Sequence, residues 1–240
     1  MHKEIEVYMD DMISKSREGE NHVQILKKLF ERLRKYKLRL NPAKCSFGVK
    51  SGKLLGFVVS DKGIEVDLDK VKAIQCMPPP KTERDVKGFL RRLNYIAQFI
   101  SQLTTTCDPI FRLLRKKNPG IWNEECEEAF EKIKQYLLNP PLHVPPIPEK
   151  LLILYLTVTE TTMVNVLGQH DKTGRKEKTI YYQSKKFTKC ESRYTVIEKL
   201  CCALTWAEKR LRRYMLYHTM WLISKLNPLR YICEKPYLSS

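Results

Sequence analysis

The sequence predicts an α+β protein, and three observations carry that reading. Short segments of period-two alternation crowd the first 66 residues, and amphipathic helices punctuated by prolines fill residues 67–138. After a proline-rich stretch at 139–150, the order from residue 151 is strand, strand, strand, helix, strand, helix.

Glu4, Glu6 and Tyr8 alternate with Ile5, Val7 and Met9, as in a half-buried strand, and Met12 and Ile13 resume the apolar side after Asp10 and Asp11. The reading is strand, tight turn, strand, with two carboxylates at the tip. Neighbouring like charges raise one pKa unless a divalent cation neutralises them, so the pair is a candidate metal site. A plain surface turn also accommodates aspartates. From Asn21 to Tyr36, Val23, Leu26, Leu29, Phe30, Leu33 and Tyr36 recur at helical spacing; Lys27, Lys28, Arg32, Arg34 and Lys35 form either a solvated face or a phosphate-binding one. Strands are expected at 45–49, 53–59 and 64–66, separated by Ser51-Gly52 and Asp61-Lys62-Gly63.

A helix is expected from Asp67 or Leu68 to about Cys76, stopped by Pro78-Pro79-Pro80. Thr82, with Asp85 three residues on, is close to a capping box and opens a second helix with Val86, Phe89, Leu90, Leu93, Ile96 and Ile100 inward. A third starts after Asp108-Pro109 and ends in Arg115-Lys116-Lys117. Asn123 caps a fourth, acidic in its first turn and carrying Lys132 and Lys134 later, a polarity matched to the helix dipole. Beyond the prolines, strands are expected at 151–158, 163–169 and 178–183. A long helix from Tyr194 to Arg213 presents Ile197, Leu200, Cys201, Leu204 and Leu211 inward. A strand at 219–224 follows, and Pro228-Leu229 begins another helix.

The formal net charge of +17 implies a polyanionic partner, with nucleic acid the default. No apolar run is long enough to span a membrane and no secretory segment is evident, so an intracellular protein without a membrane partner is expected. The eight cysteines lack paired C-x-x-C spacing, which suits reduced thiols rather than zinc or disulfides.

Several motifs stand in a particular order. Tyr8-Met9-Asp10-Asp11 is followed by Leu38-Arg39-Leu40-Asn41-Pro42, Leu55-Gly56-Phe57-Val58, Gly88-Phe89-Leu90 with Leu93-Asn94-Tyr95, and Trp122-Asn123-Glu124-Glu125. Together they resemble the polymerase region of gypsy-type LTR retrotransposon Pol polyproteins, continuing from about Leu151 into a ribonuclease H domain. The resemblance implies partial reverse-transcriptase palm hairpins (1–66), a helical thumb and connection (67–138), a linker (139–150) and a truncated ribonuclease H-like α/β domain with a mixed sheet (151–240). It makes Asp10 and Asp11 catalytic ligands of Mg²⁺, has Leu55, Gly56 and Phe57 form the hairpin that grips a primer end, and turns Arg84, Lys87, Arg91 and Arg92 toward nucleic acid. Arg91 stands where the family usually has glycine. In the ribonuclease H part, Thr157 and Lys225 replace two catalytic aspartates, and Glu198 retains the helix glutamate. Threonine is a weak neutral ligand and a lysine ammonium repels cations, so no ribonuclease activity is expected. Only seven residues precede Tyr8, so the isolated chain is expected not to polymerise. The resemblance leaves three readings: a fragment of a polyprotein whose ancestral activity is RNA-directed DNA polymerase, a non-catalytic module that holds an RNA/DNA hybrid or duplex through its phosphates, or a partner of other polymerase subunits.

Overall fold

The computed structural model describes residues 5–8, 11–16, 21–114, 121–171 and 173–224, without the side chains of Glu6, Tyr8 and Asp11. Its contacts divide the chain into two units, Met1–Asp61 and Lys62–Ser240. No described helix is long and apolar enough to cross a membrane.

In the first unit, β1 (Ile5–Tyr8) and β2 (Asp11–Ser14) pair antiparallel in the register Ile5↔Ser14 to Tyr8↔Asp11. Helix α1 (His22–Lys35) starts at Asn21, whose side chain accepts from the Val23 amide. Its buried stripe is Ile25, Leu29 and Leu33, strict i,i+4 spacing. The expected stripe is corrected on this point: Val23 and Tyr36 are exposed, and Phe30 lies at the margin, 6.4 Å from the Phe47 ring. The expected strand at 45–49 does not form. Asn41 instead caps a 3-10 turn at Pro42–Lys44, and Gly48 takes a positive φ of 66° that interrupts any extended run. The expected strand at 53–59 folds back on itself as β3 (Ser51–Leu54) and β4 (Phe57–Ser60), with Leu54↔Phe57 closing the hairpin. Ser51 and Gly52, expected to turn, lie inside β3.

The second unit opens with β5 (Ile64–Val66) and the helices α2 (Leu68–Gln75) and α3 (Glu83–Tyr95). Asp67 caps α2, and Thr82 with Asp85 closes a full capping box on α3. After the short α4 (Leu103–Thr106) come α5 (Asp108–Leu113) and α6 (Glu124–Tyr136), the last capped by Asn123. The six apolar positions expected inside the second helix and its exit, Val86, Phe89, Leu90, Leu93, Ile96 and Ile100, are all buried. Phe89 packs on Phe130 of α6 at 4.9 Å, and Trp122 meets Phe130 edge-on at 5.8 Å.

A four-stranded mixed sheet follows: β6 (Leu152–Val158), β7 (Thr162–His170), β8 (Glu177–Lys186) and β9 (Met220–Ser224), in the order β8-β7-β6-β9, with β9 parallel to β6. Helix α7 (Val196–Tyr217) covers one face, laying Leu200, Ala203, Ala207 and Leu211 on Leu152, Leu154, Leu156 and Leu167. The two alanines bring the helix close to the sheet. Ile197, expected inward, is 46% exposed, because the i,i+4 stripe runs through the alanines instead.

The opposite face of β8 receives the helical segment. Ser184 Oγ accepts from the Thr104 amide (3.0 Å) and bonds its hydroxyl (2.8 Å). Lys186 pairs with Asp108, which also accepts from Arg112 Nε at 2.7 Å. Burial raises the Asp108 pKa, but Lys186 and Arg112 outweigh it and hold the carboxyl below its usual range. The proline-rich stretch packs beside them. His143 exchanges backbone hydrogen bonds with Ile64 (2.7 and 3.1 Å) and stacks on Phe99 at 4.3 Å, with Tyr182 at 5.5 Å. A side chain at Gly63 would collide with the His143 carbonyl, so this approach requires glycine.

Only 4% of His143 is exposed, and burial pushes its pKa down to about 4. Above the ordinary histidine value near 6.5 its contribution to stability is complete. As pH falls toward 4 the unfolded chain takes a proton that the folded chain refuses, so stability is lost at about 1.4 kcal/mol per pH unit. Urea midpoints measured between pH 7 and 5 should show this slope, and His143→Phe should flatten it.

Candidate nucleic-acid and metal sites

The β1–β2 register brings Tyr8 and Asp11 opposite each other as the last pair of the hairpin. Met9 and Asp10, which separate them in sequence, lie outside the described residues, as does the Asp11 side chain. The hairpin expected to carry the carboxylate pair is therefore present as a backbone frame.

The expected primer-contacting residues form a hairpin, as the resemblance implies, in place of the continuous strand expected at 53–59. Gly56 is not a strand glycine: Leu55 (φ 51°) and Gly56 (φ 69°) are the two central residues of the β3–β4 hairpin, the φ signature of a type I′ turn. That turn type matches strand twist but requires positive φ twice. Glycine accepts it freely, whereas a leucine at this backbone angle is strained. Leu55 is held at the hairpin tip, 39% exposed, and Phe57 starts β4.

On α3, Arg84, Lys87, Arg91 and Arg92 are all exposed, and three- and four-residue spacing sets them on the side away from Val86, Phe89 and Leu93. Lys87 makes a solvent-exposed pair with Glu83 at 2.6 Å, and Arg92 Nη1 donates to the Met77 sulfur at 3.4 Å. Such exposed pairs exchange readily for a stronger anion. Gly88 leaves the middle of this face without a side chain. Tyr95, 44% exposed, continues it one turn further, with Lys70 Nζ 5.7 Å from its ring centroid.

The sheet and α7 carry two of the three positions at which the resemblance implies hydrolytic acids. Leu156 faces α7, so Thr157 alternates to the other face of β6, where it is exposed. Lys225 lies outside the described residues. Glu198 is engaged as the third residue of a capping box. Its Oε2 accepts from the Thr195 amide (2.7 Å) and hydroxyl (2.9 Å), while the Glu198 amide donates to Thr195 Oγ1 (3.4 Å). The backbone and hydroxyl donors of Thr195 hold this carboxyl below its usual pKa. The pattern Thr195-Val196-Ile197-Glu198 is a legible S/T-x-x-E cap in the sequence. Lys199, nine-tenths buried, was the residue that sequence reasoning missed: its Nζ donates to the Glu160 carbonyl at 3.1 Å and lies 5.7 Å from the Phe187 ring centroid.

A two-metal hydrolytic centre needs several hard oxygen donors converging on the ions. Here Thr157 offers a neutral hydroxyl, Glu198 is committed to its helix, and a buried ammonium follows it directly. No group of three His, Cys, Asp or Glu residues suited to a metal exists among the described residues. This donor set does not fit such a centre.

Residues 2–59 match the family described as reverse transcriptase (RNA-dependent DNA polymerase), and residues 122–221 match the RNase H-like domain found in reverse transcriptase. The retrovirus-related Pol polyproteins of the Drosophila melanogaster transposons 412 and 297 are each 30% identical, over 94% and 97% of this chain, but the chain spans only 18% and 21% of them. The Schizosaccharomyces pombe transposon Tf2-3 polyprotein is 29% identical over 87% of the chain, which spans 16% of it. Among solved structures, the foamy viral protease-reverse transcriptase in complex with dsDNA superimposes with a TM-score of 0.79 at 22% identity, covering 98% of this chain and 49% of that one. The same protein in complex with an RNA/DNA hybrid gives the same TM-score and identity, with 32% of its chain covered.

Two local geometries make measurable demands. Thr195→Ala should cost about 1 kcal/mol of stability, and Glu198→Ala should lower the thermal midpoint without adding its full effect to Thr195→Ala. Glu198→Gln, which preserves the cap, should stay near wild type with or without Mg²⁺. At the β3–β4 turn, Leu55→Asn should stabilise the fold by about 0.5–1 kcal/mol in chemical denaturation, because asparagine tolerates positive φ.

Proposed function

Because the chain belongs with the retrotransposon Pol polyproteins, carrying reverse transcriptase sequence followed by an RNase H-like domain, we propose that it holds duplex nucleic acid for polymerisation and that its RNase H-like domain does not cut. Palm at 1–66, thumb and connection at 67–138, linker at 139–150 and RNase H-like domain at 151–240 is the division that goes with this reading. The ligand is a duplex or an RNA/DNA hybrid gripped by its phosphates. The foamy viral enzyme that shares the fold was solved with both kinds, which supports that class of ligand.

The observation that carries the reading is the exposed cationic face of α3, where Arg84, Lys87, Arg91 and Arg92 stand over a rigid core and exchange only weak surface partners. Cations so placed bind phosphates by displacing counterions, which is sequence-independent. Leu55, Gly56 and Phe57 offer a narrow apolar tip suited to a sugar or terminal base. Asp10 and Asp11 are hard oxygen donors of the kind that hold Mg²⁺, and the β1–β2 pairing from Ile5↔Ser14 to Tyr8↔Asp11 supplies the hairpin that this reading requires. A cation held there would supply positive charge to a transferring phosphate. For the RNase H-like domain, the exposed Thr157 and the capped Glu198 support a non-hydrolytic role.

Fluorescence anisotropy on a labelled RNA/DNA hybrid tests this. The affinity should fall linearly with salt on a log–log plot, and replacing Arg84, Lys87, Arg91 and Arg92 by alanine should reduce the slope by up to about 3.6. The same hybrid should stay uncut in Mg²⁺, also with Thr157→Asp. An unchanged salt slope in the quadruple variant would overturn the binding surface, and EDTA-sensitive cleavage by the wild-type chain would overturn the non-hydrolytic role.

A further inference from the structure

Helix α7 spends one face on the sheet and presents another that nothing in the preceding reading uses. Lys209, Arg210, Arg212 and Arg213 are all exposed within a turn and a half, while Leu204, Ala207, Leu211 and Tyr214 point into the core. One acid, Glu208, stands among them, a turn before Arg212. Among the described residues no carboxylate forms an ion pair with any of the four cations. The helix then exposes Leu216 (68%) and Tyr217 (82%), one turn beyond Arg212 and Arg213 and on the same side. A large aromatic left in water at the end of a cationic stripe is an uncommon surface, and the two features suit one ligand.

We propose that the C-terminal half of α7 is a binding surface for single-stranded nucleic acid, with Lys209, Arg210, Arg212 and Arg213 on the phosphates and Tyr217 stacking an unpaired base. Stacking needs a free π-face, which a strand without a partner offers and a duplex interior does not. From Lys209 to Tyr217 the helix rises about 12 Å, the reach of a short stretch of strand. An anionic membrane is the competing partner for a basic helix, but a membrane-seeking helix needs its apolar face. Here Leu200, Ala203, Ala207 and Leu211 are at most 1% exposed, committed to the sheet. The surface is separate from α3, so it stands or falls independently of the duplex-binding reading.

The test measures binding of the full chain to a labelled oligo-dT strand, to a duplex, and to vesicles containing phosphatidylserine. Lys209→Ala with Arg213→Ala should weaken oligo-dT binding about tenfold and lower its log–log salt slope by about 1.4. Tyr217→Ala should weaken it at least about fivefold with the salt slope unchanged, and Glu208→Gln should strengthen it. Duplex affinity should stay within about twofold of wild type in all three, with unaltered thermal midpoints, whereas the α3 variants should lose duplex affinity instead. Equal losses on strand and duplex, no loss on the strand, or vesicle binding abolished by the same substitutions would each overturn the assignment.

Discussion

The strand Glu177–Lys186 has to satisfy three neighbours at once, and the second unit is organised around that requirement. On the α7 side, Tyr181 joins the apolar layer under the helix. On the opposite side, Ser184 and Lys186 take Thr104 and Asp108 from the helical segment, and Tyr182 lies against His143 from the proline-rich stretch. A partly buried carboxylate such as Asp108 is costly alone, and removal of one partner strands the other. The pair therefore fixes where α4 and α5 dock more than it adds to net stability. Helices that dock through one strand carry their surfaces with them, so the basic face of α3 and the outer face of α7 belong to a single packed body.

Much of this was legible because the signals are local. Caps at Thr82 and Asn123 follow from a side-chain oxygen placed one turn before an apolar run, and the core positions of α3 follow from strict helical spacing. The α+β order and the parallel return of β9 are likewise consequences of a strand, a long helix and a second strand in succession. The failures have equally local causes. Leucine at positive φ has no sequence signature, so the Leu55-Gly56 turn hid inside what reads as one strand. In α1 the apolar residues outnumber the places available in the core, and packing selected Ile25, Leu29 and Leu33 over Val23 and Tyr36. In α7 alanines, too small to register as a hydrophobic stripe, won the buried positions from Ile197. The short α4 begins after Gln102 at a φ of 53°, another positive-φ residue without a warning in the sequence.

For the candidate sites the balance differs. The engagement of Glu198 has a signal in the sequence, the Thr195 hydroxyl, which an expected helix start at Tyr194 passes over. Whether a glutamate one turn into a helix faces a metal or folds back on its own N-terminus depends on a hydroxyl three residues earlier. Lys199 has no such signal: nothing in the sequence distinguishes it from the exposed lysines around it. Burial of its stem against Phe187, with the ammonium reaching the Glu160 carbonyl, is a product of the β6–β7 connection meeting the helix start.

An acidic side chain at the start of a helix has work to do without any ligand. Glu198 closes the first turn of a 22-residue helix through Thr195, so the fold restrains this position whatever chemistry takes place around it. The presence of such an acid therefore measures the needs of the scaffold, and by itself is no count of catalytic groups.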